Sequence, residues 1–190
     1  MLAGSPARFY FGLTGLAILS WGVVNLLLSD ELLRKAVPPH SSDYFSTTYS
    51  KLEMNQLGRP KNRLVADKMV HFSDDLSTEM TKPVMTLYNE DGLPPWVINS
   101  ETGLLSGDKS DLFLQGKVKI NRAATSEQSK IIINTRDLQV KPDDSYAVTA
   151  QWAELIMSPH YTEGVGMEVY FENKIRLNLH AKVRSRFYEK

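Results

Sequence analysis

The side chains best suited to acid–base or metal chemistry in this sequence are its four histidines: His40, His71, His160 and His180. Only His71 has carboxylates close by in the sequence, at Asp74 and Asp75. Short polar residues in the order Ser-Asp-Asp also favour a turn, because their side chains bond to the neighbouring backbone. No two histidines stand at the spacing of metal ligands on one element. The pattern therefore predicts a turn here and no metal site.

Recognisable catalytic motifs are absent from the sequence. There is no G-x-S-x-G, no glycine loop that would cradle a phosphate, and no H-E-x-x-H. A carbohydrate hydrolase would need two carboxylates about 5 to 10 Å apart across a groove. Nothing singles out such a pair, since Asp143-Asp144 is also a typical turn. We therefore expect a non-enzymatic protein with no catalytic residue and no cofactor.

Charge and cysteine content narrow the class of protein further. Lysine plus arginine equals aspartate plus glutamate at 22 each, so the chain lacks the basic excess of a nucleic-acid binder. Cysteine is absent, which excludes disulfides, thiol catalysis and cysteine-bound metals and suits an oxidising compartment.

Residues 9–28 contain no charged side chain. At about 1.5 Å rise per residue, a helix of this length spans the roughly 30 Å hydrocarbon core of a bilayer. A cleaved signal peptide would end in small residues, whereas Leu26, Leu27 and Leu28 are bulky. A buried core helix would be amphipathic. We therefore predict an uncleaved transmembrane anchor over 9–28.

Three glycines of this segment, Gly12, Gly15 and Gly22, fall in one sector of a helix. They form a candidate packing face for other transmembrane helices, although glycine is in any case more frequent in membrane helices. The basic residues do not settle the orientation. The eight residues before the segment form a short lead, which favours residues 1–8 on the cytoplasmic side and the large carboxyl-terminal domain on the other side of the membrane.

Pro38-Pro39 ends the helical pattern, because proline lacks an N–H and restricts the preceding residue. Residues 29–43 are the predicted linker, and a domain is expected over 44–190. Its side chains follow a period of two, which is typical of strands. We predict strands that include residues 44–55, 63–72, 80–88, 96–100 and 104–106.

The clearest alternation is in residues 112–120. One face consists of Leu112, Leu114, Gly116, Val118 and Ile120, and the other of Phe113, Gln115, Lys117 and Lys119. The last strand, predicted to run from 175 to 188, alternates in the same way, with an apolar face of Ile175, Leu177, Leu179, Ala181, Val183 and Phe187. One solvent-exposed face and one apolar face are typical of an antiparallel sheet that covers a core.

Strand-turn-strand units also repeat loosely along the sequence: Val97-Ile98-Asn99-Ser100 recurs as Ile132-Ile133-Asn134-Thr135. We predict an all-β, open antiparallel β-jelly roll of stacked hairpins.

The same residues resemble a known family. Leu114, Gly116, Val118 and Ile120, followed by Thr135 and Leu138, are similar to the L-x-G-x-V-x-I … T-x-x-L pattern of the lipopolysaccharide-transport β-jelly-roll domains (OstA/LptA-like). Residues 81–88 and Pro95-Trp96 resemble other segments of that family, whereas residues 158–166 depart from it. One anchor ahead of one such domain resembles the family's bitopic inner-membrane members, which implies a single-pass protein of the inner membrane with its carboxyl-terminal domain in the periplasm.

The resemblance implies a protein of the lipopolysaccharide export system. It would receive lipopolysaccharide from an inner-membrane ABC transporter and pass it to a soluble periplasmic LptA-like protein. Acyl chains would lie in a groove lined by Phe45, Tyr49, Met80, Leu112, Leu114, Leu177, Leu179 and Phe187. Each buried methylene contributes roughly 0.8 kcal/mol. The alternative for any one of these residues is an ordinary dry core.

The two end strands of an open roll leave unpaired backbone groups that bind other sheets by strand addition. The resemblance assigns the first edge, residues 44–55, to the ABC transporter together with the transmembrane helix. It assigns the last edge, with Ile175, Leu177, Leu179, Ala181 and Val183, to the soluble bridge protein. A membrane-anchored structural module that binds only protein partners is the alternative function.

Overall fold

The computed structural model describes residues 6–27, 40–89, 92–171 and 175–187. The chain divides into two compact units, residues 1–39 and residues 40–190. Leu28, most of the predicted linker 29–43, Lys174 and Tyr188 lie outside the described residues.

The first unit contains one helix, α1 (Pro6–Leu27). Its polar side chains bond within the helix: Thr14 Oγ1 donates to the Tyr10 carbonyl at 2.6 Å, and Asn25 Nδ2 to the Trp21 carbonyl at 3.1 Å. Among the described residues, no helix is both long and apolar enough to cross a membrane. α1 covers residues 9–27 of the predicted span, and the membrane anchor over 9–28 stays a prediction.

The second unit is a single antiparallel sheet of ten strands. The strands are β1 (Ser42–Met54), β2 (Pro60–Phe72), β3 (Thr78–Thr81), β4 (Val84–Leu87), β5 (Trp96–Leu105), β6 (Leu112–Arg122), β7 (Ile131–Lys141), β8 (Tyr146–Met157), β9 (His160–Tyr170) and β10 (Arg176–Arg186). They pair in the order β1-β2-β3-β5-β6-β7-β8-β9-β10, and β4 pairs with β2 and β5 beside β3. The prediction of an all-β antiparallel domain is confirmed.

The alternation predicted for β6 is the basis of the core. Leu112, Leu114, Val118 and Ile120 are buried, whereas the residues between them face outward. Apolar side chains from β2 to β9 join these four in one cluster, with Trp96 fully buried in it. Burying each such side chain contributes about 1.5 to 3 kcal/mol, so this cluster holds the strands together.

Two strand boundaries differ from the predicted ones around Pro83. Residues 80–88 form two short strands, β3 and β4, rather than one, because Pro83 has no N–H and Lys82 adopts a left-handed φ of 48°. On the neighbouring strand, the two segments predicted at 96–100 and 104–106 are one strand, β5. β5 continues past the break, and its register with β6 shifts between Ser100 and Thr102, where β6 has one extra residue.

The alternation predicted for the last strand holds only over its first half. Ile175, Leu177 and Leu179 are partly buried and pack against the core. Ala181 then pairs with Val165 and Arg184 with Glu163, so two residues of β10 oppose one of β9. Lys182, with φ of 50°, lies in this bulge. From His180 to Phe187 every residue is exposed, so the second half of the strand leaves the core margin, and Ala181, Val183 and Phe187 do not face the core.

Bulges also interrupt β5 to β9 at neighbouring positions, after Ser100, Leu114, Asn134 and Thr149. Each inserted residue bends its strand and increases the twist, and together they curl the sheet around the core. Gly116 lies at one of them with φ of 77°, and its N–H donates to Asp137 Oδ1 at 2.9 Å.

We expect Gly116→Ala to lower the free energy of unfolding by about 2 kcal/mol, because it adds overpacking to a strained φ. Its Cβ would meet the Glu101 side chain, 3.0 Å from Cδ and 3.3 Å from Cβ of that residue. Gly58→Ala is the matched control, since Gly58 has φ of 71° and open space around its Cβ; it should cost only about 1 kcal/mol. Urea denaturation followed by circular dichroism measures both. Equal losses would show that contact with Glu101 adds no strain.

Candidate functional site

Both end strands of the sheet present apolar side chains at the margin of the core. Tyr49 of β1 and Ile175, Leu177 and Leu179 beside and within β10 are partly buried and pack against the buried cluster. The strand order is linear, and β1 and β10 each pair on one side only. A ligand that entered between these two strands would therefore break no backbone ladder and would meet apolar surface. This margin is the candidate lipid-binding region.

The eight residues predicted to line the groove fall into three environments. Met80, Leu112 and Leu114 are at most 3% exposed and belong to the closed core. Three others, Tyr49, Leu177 and Leu179, lie at its margin. Phe45 and Phe187 are 70% and 75% exposed. Their contact with lipid stays a prediction.

The exposure of Phe45 follows from a change of phase within β1. Thr48 has a left-handed φ of 65°, and on its two sides the less exposed residues are Ser46 and Tyr49, opposite the buried Met69 and Ala66. Phe45 therefore faces away from the core even though it is an even number of residues from Tyr49. A simple pattern of period two does not predict such a change of face within a strand.

Two surface grooves were not expected from the sequence. The larger, of about 960 Å³, is lined mainly by outward side chains of β5 to β8, among them Leu104, Phe113 and Val148. The smaller, of about 550 Å³, brings Lys117, Lys119 and Arg136 together beside Trp152. Lys117 and Arg136 are register partners on adjacent strands, an arrangement that disfavours two like charges. Both grooves are lined by residues from several strands near the bulges. The alternation pattern within one strand does not predict which residues of different strands become neighbours.

The end of β6 holds a buried cation. Arg122 is 4% exposed, and its guanidinium carbon lies 4.7 Å from the centroid of the fully buried Trp96 ring. Its Nη2 donates to Gln128 Oε1 at 2.7 Å. Burial lowers the pKa of the Arg122 guanidinium from its usual value. The sequence signal was present, because Arg122 continues the inward-facing series Leu114, Val118 and Ile120.

The histidines near the first edge have partners other than those closest in sequence. His71 Nδ1 lies 2.8 Å from Asp43 Oδ1, and this hydrogen bond lowers the pKa of the Asp43 carboxyl. It is His40 that approaches Asp74, at 3.3 Å, and ligand atoms of His40, Asp74 and Asp75 lie within 4.8 Å of one another on the exposed surface. Asp75 Oδ1 accepts the Ser77 N–H at 2.8 Å, as the predicted turn requires.

Comparison with known proteins gives concordant results. A family model described as lipopolysaccharide-assembly, LptC-related, matches residues 13–189. The lipopolysaccharide export system proteins LptC of Escherichia coli K12 and of Shigella flexneri are each 26% identical over 139 residues, which cover 69% of this chain and 72% of theirs.

The solved structure of LptH from Pseudomonas aeruginosa has the same fold. It superposes with a TM-score of 0.53 at 11% identity, covering 67% of this chain and 95% of LptH. LptH is described as the LptA-homologous periplasmic component of the lipopolysaccharide transport device. The β-jelly-roll prediction is thus confirmed. Because the family model extends over nearly the whole sequence, the chain belongs to the LptC-related family of lipopolysaccharide-assembly proteins.

Proposed function

We propose that this protein is a non-enzymatic component of lipopolysaccharide export. It receives lipopolysaccharide from an inner-membrane ABC transporter and passes it to a soluble periplasmic LptA-like protein. Membership of the LptC-related family supports this role. The observation that carries the lipid-binding part is the row of partly buried apolar residues, Ile175, Leu177 and Leu179, along the free end strand.

Acyl chains fit this margin for a physical reason. The side chains there already contact the core on one side and remain partly exposed on the other. Each acyl methylene that covers them is worth roughly 0.8 kcal/mol. Separation of β1 from β10 exposes the core without loss of strand pairing, because the two strands are at opposite ends of the sheet order.

The proposed location is the periplasmic side of the inner membrane. The absence of cysteine suits that oxidising compartment. The proposed contact of the first edge, β1, with the transporter and of the last edge, β10, with the soluble protein uses the two unpaired edges that the sheet offers.

Site-specific photo-crosslinking in cells that export lipopolysaccharide tests the proposal. A crosslinker at Leu177 or Leu179 is expected to capture lipopolysaccharide, because these side chains face the core margin. The matched positions Arg176 and Asn178 lie on the same strand and face solvent, so they should capture little or none. Equal labelling of both faces would contradict an internal lipid path. Absence of lipid at all four, with protein partners still captured, would favour the structural module.

A further inference from the structure

Arg122 is a buried cation without a counter-ion in the described chain. It is 4% exposed, and among the described residues no carboxylate forms an ion pair with it. Its one hydrogen-bond acceptor is the neutral amide of Gln128, and its Nη1 has no partner. An unpaired buried charge is costly, because the protein interior replaces little of its hydration.

A second donor beside it is also without a partner. Trp96 is fully buried, and its indole Nε1 makes no hydrogen bond. The Arg122 guanidinium lies over the ring of this residue, and the two are register partners on β5 and β6. Two buried donors at one place, one of them charged, form a site that is complementary to an anionic acceptor.

A structured loop lies next to this pair. Residues 123–130 join β6 to β7. Within the loop, Thr125 and Gln128 bond to each other twice, through Thr125 N–H to the Gln128 carbonyl at 2.9 Å and Gln128 N–H to Thr125 Oγ1 at 3.0 Å. The turn thereby places the Gln128 side chain on Arg122. Movement of this one amide frees Nη2, and both terminal nitrogens of the guanidinium are then available to another acceptor.

We propose that Arg122 and Trp96 bind a phosphate group, supplied by the phosphorylated sugar of a bound lipopolysaccharide. The inference rests on the proposed function for the source of the phosphate. The phosphate replaces Gln128 as acceptor from Nη2 and also accepts from Nη1, the two-pronged geometry in which arginine binds phosphate. The indole N–H of Trp96 supplies a third donor. The site lies at the end of β6, beside the loop of residues 123–130, and movement of the Gln128 side chain would open it to the headgroup.

The competing explanation is that Arg122 only fastens the loop to Trp96 through the cation–π contact, worth about 0.5 to 2 kcal/mol. That role accounts for the position of the Arg122 guanidinium over the Trp96 ring. It does not explain why Arg122 Nη1 and Trp96 Nε1 have no acceptor, and it requires no anion. The two explanations differ in whether removal of phosphate from the lipid changes its binding.

Nuclear magnetic resonance of the full chain labelled with ¹⁵N-tryptophan reads the site directly. The sequence has three tryptophans, so Trp21→Phe and Trp152→Phe assign the Trp96 indole by elimination. Three probes are titrated: lipopolysaccharide, lipopolysaccharide stripped of its phosphates, and inorganic phosphate. We expect the phosphorylated lipid to shift the Trp96 resonance and to bind about 10- to 100-fold more tightly than the stripped lipid.

In Arg122→Gln the two lipid forms should bind equally, whereas Arg136→Gln, at an exposed arginine of β7, should keep the difference. Equal affinities in the unmodified protein would overturn the phosphate site and leave lipid export intact; this arm holds even if Arg122→Gln does not fold. Failure to bind either lipid, with a Trp96 shift caused by inorganic phosphate, would instead overturn the proposed function and support a free anion site.

Discussion

Replacement of both Val183 and Phe187 by aspartate is expected to reduce capture of the soluble LptA-like protein about 10- to 100-fold, the range expected when central apolar contacts of an interface are lost. Both side chains are more than half exposed on the end strand or just beyond it, at 52% and 75%. Two carboxylates there would require desolvation without a partner when another sheet adds to β10. Affinity capture with the tagged full chain, followed by blotting for the soluble protein, gives the measurement.

Phe45→Asp provides the matched control at the opposite edge. Phe45 is 70% exposed on β1, so this variant should retain the soluble partner and lose the ABC transporter, while the Val183 and Phe187 double variant does the reverse. The same capture experiment, blotted for both proteins, measures the pair of losses. If both variants lost the same partner, the assignment of the two edges would be wrong.

Trp96→Ala is expected to lower the free energy of unfolding of the β domain by about 3 to 5 kcal/mol. That is a large part of the roughly 5 to 15 kcal/mol by which domains are usually stable. The Trp96 side chain is fully buried, contacts Phe171 with ring centroids 5.4 Å apart, and lies under Arg122. Its loss leaves a cavity and deprives a buried cation of its aromatic partner. Urea unfolding followed by circular dichroism determines the change.

Trp152→Ala makes the same substitution at a site that is 43% exposed. There the lost contacts are partly replaced by water, and the expected loss is about 1 kcal/mol. Similar losses at both positions would mean that burial of Trp96 does not determine the stability of the core.

The fold class was predictable because one physical regularity repeats along the chain. In β6, alternation placed five residues inward from Leu112 to Ile120, and all of them except Gly116, which lies at a bulge, are buried. The alternation of buried and exposed side chains is interrupted at positions where the backbone conformation is irregular. Thr48, Lys82 and Lys182 all have positive φ without being glycine, and residue type alone carries no signal for this conformation. The packing of neighbouring strands imposes it.

The candidate site was less predictable than the fold for the same reason. Alternation of period two predicts Phe45 and Phe187 on the inner face of the sheet. A left-handed residue in β1 and a bulge in β10 interrupt that alternation. Leu177 and Leu179, which precede the bulge in β10, lie at the core margin as expected. Arg122 was overlooked because a cation in an inward position contradicts the usual composition of a core, although its place in the alternation of β6 pointed there.

The linear strand order also limits the symmetry of any assembly built by strand addition. One free edge is the first strand and the other is the last, so the two surfaces differ in sequence and in charge. Pairing of unlike edges is heterologous, and it generates an open row with a direction instead of a closed dimer. In such a row every member has a defined front and back. The order of its components is then determined by which edge each one presents, and a lipid that moves along it passes each domain in the same sense.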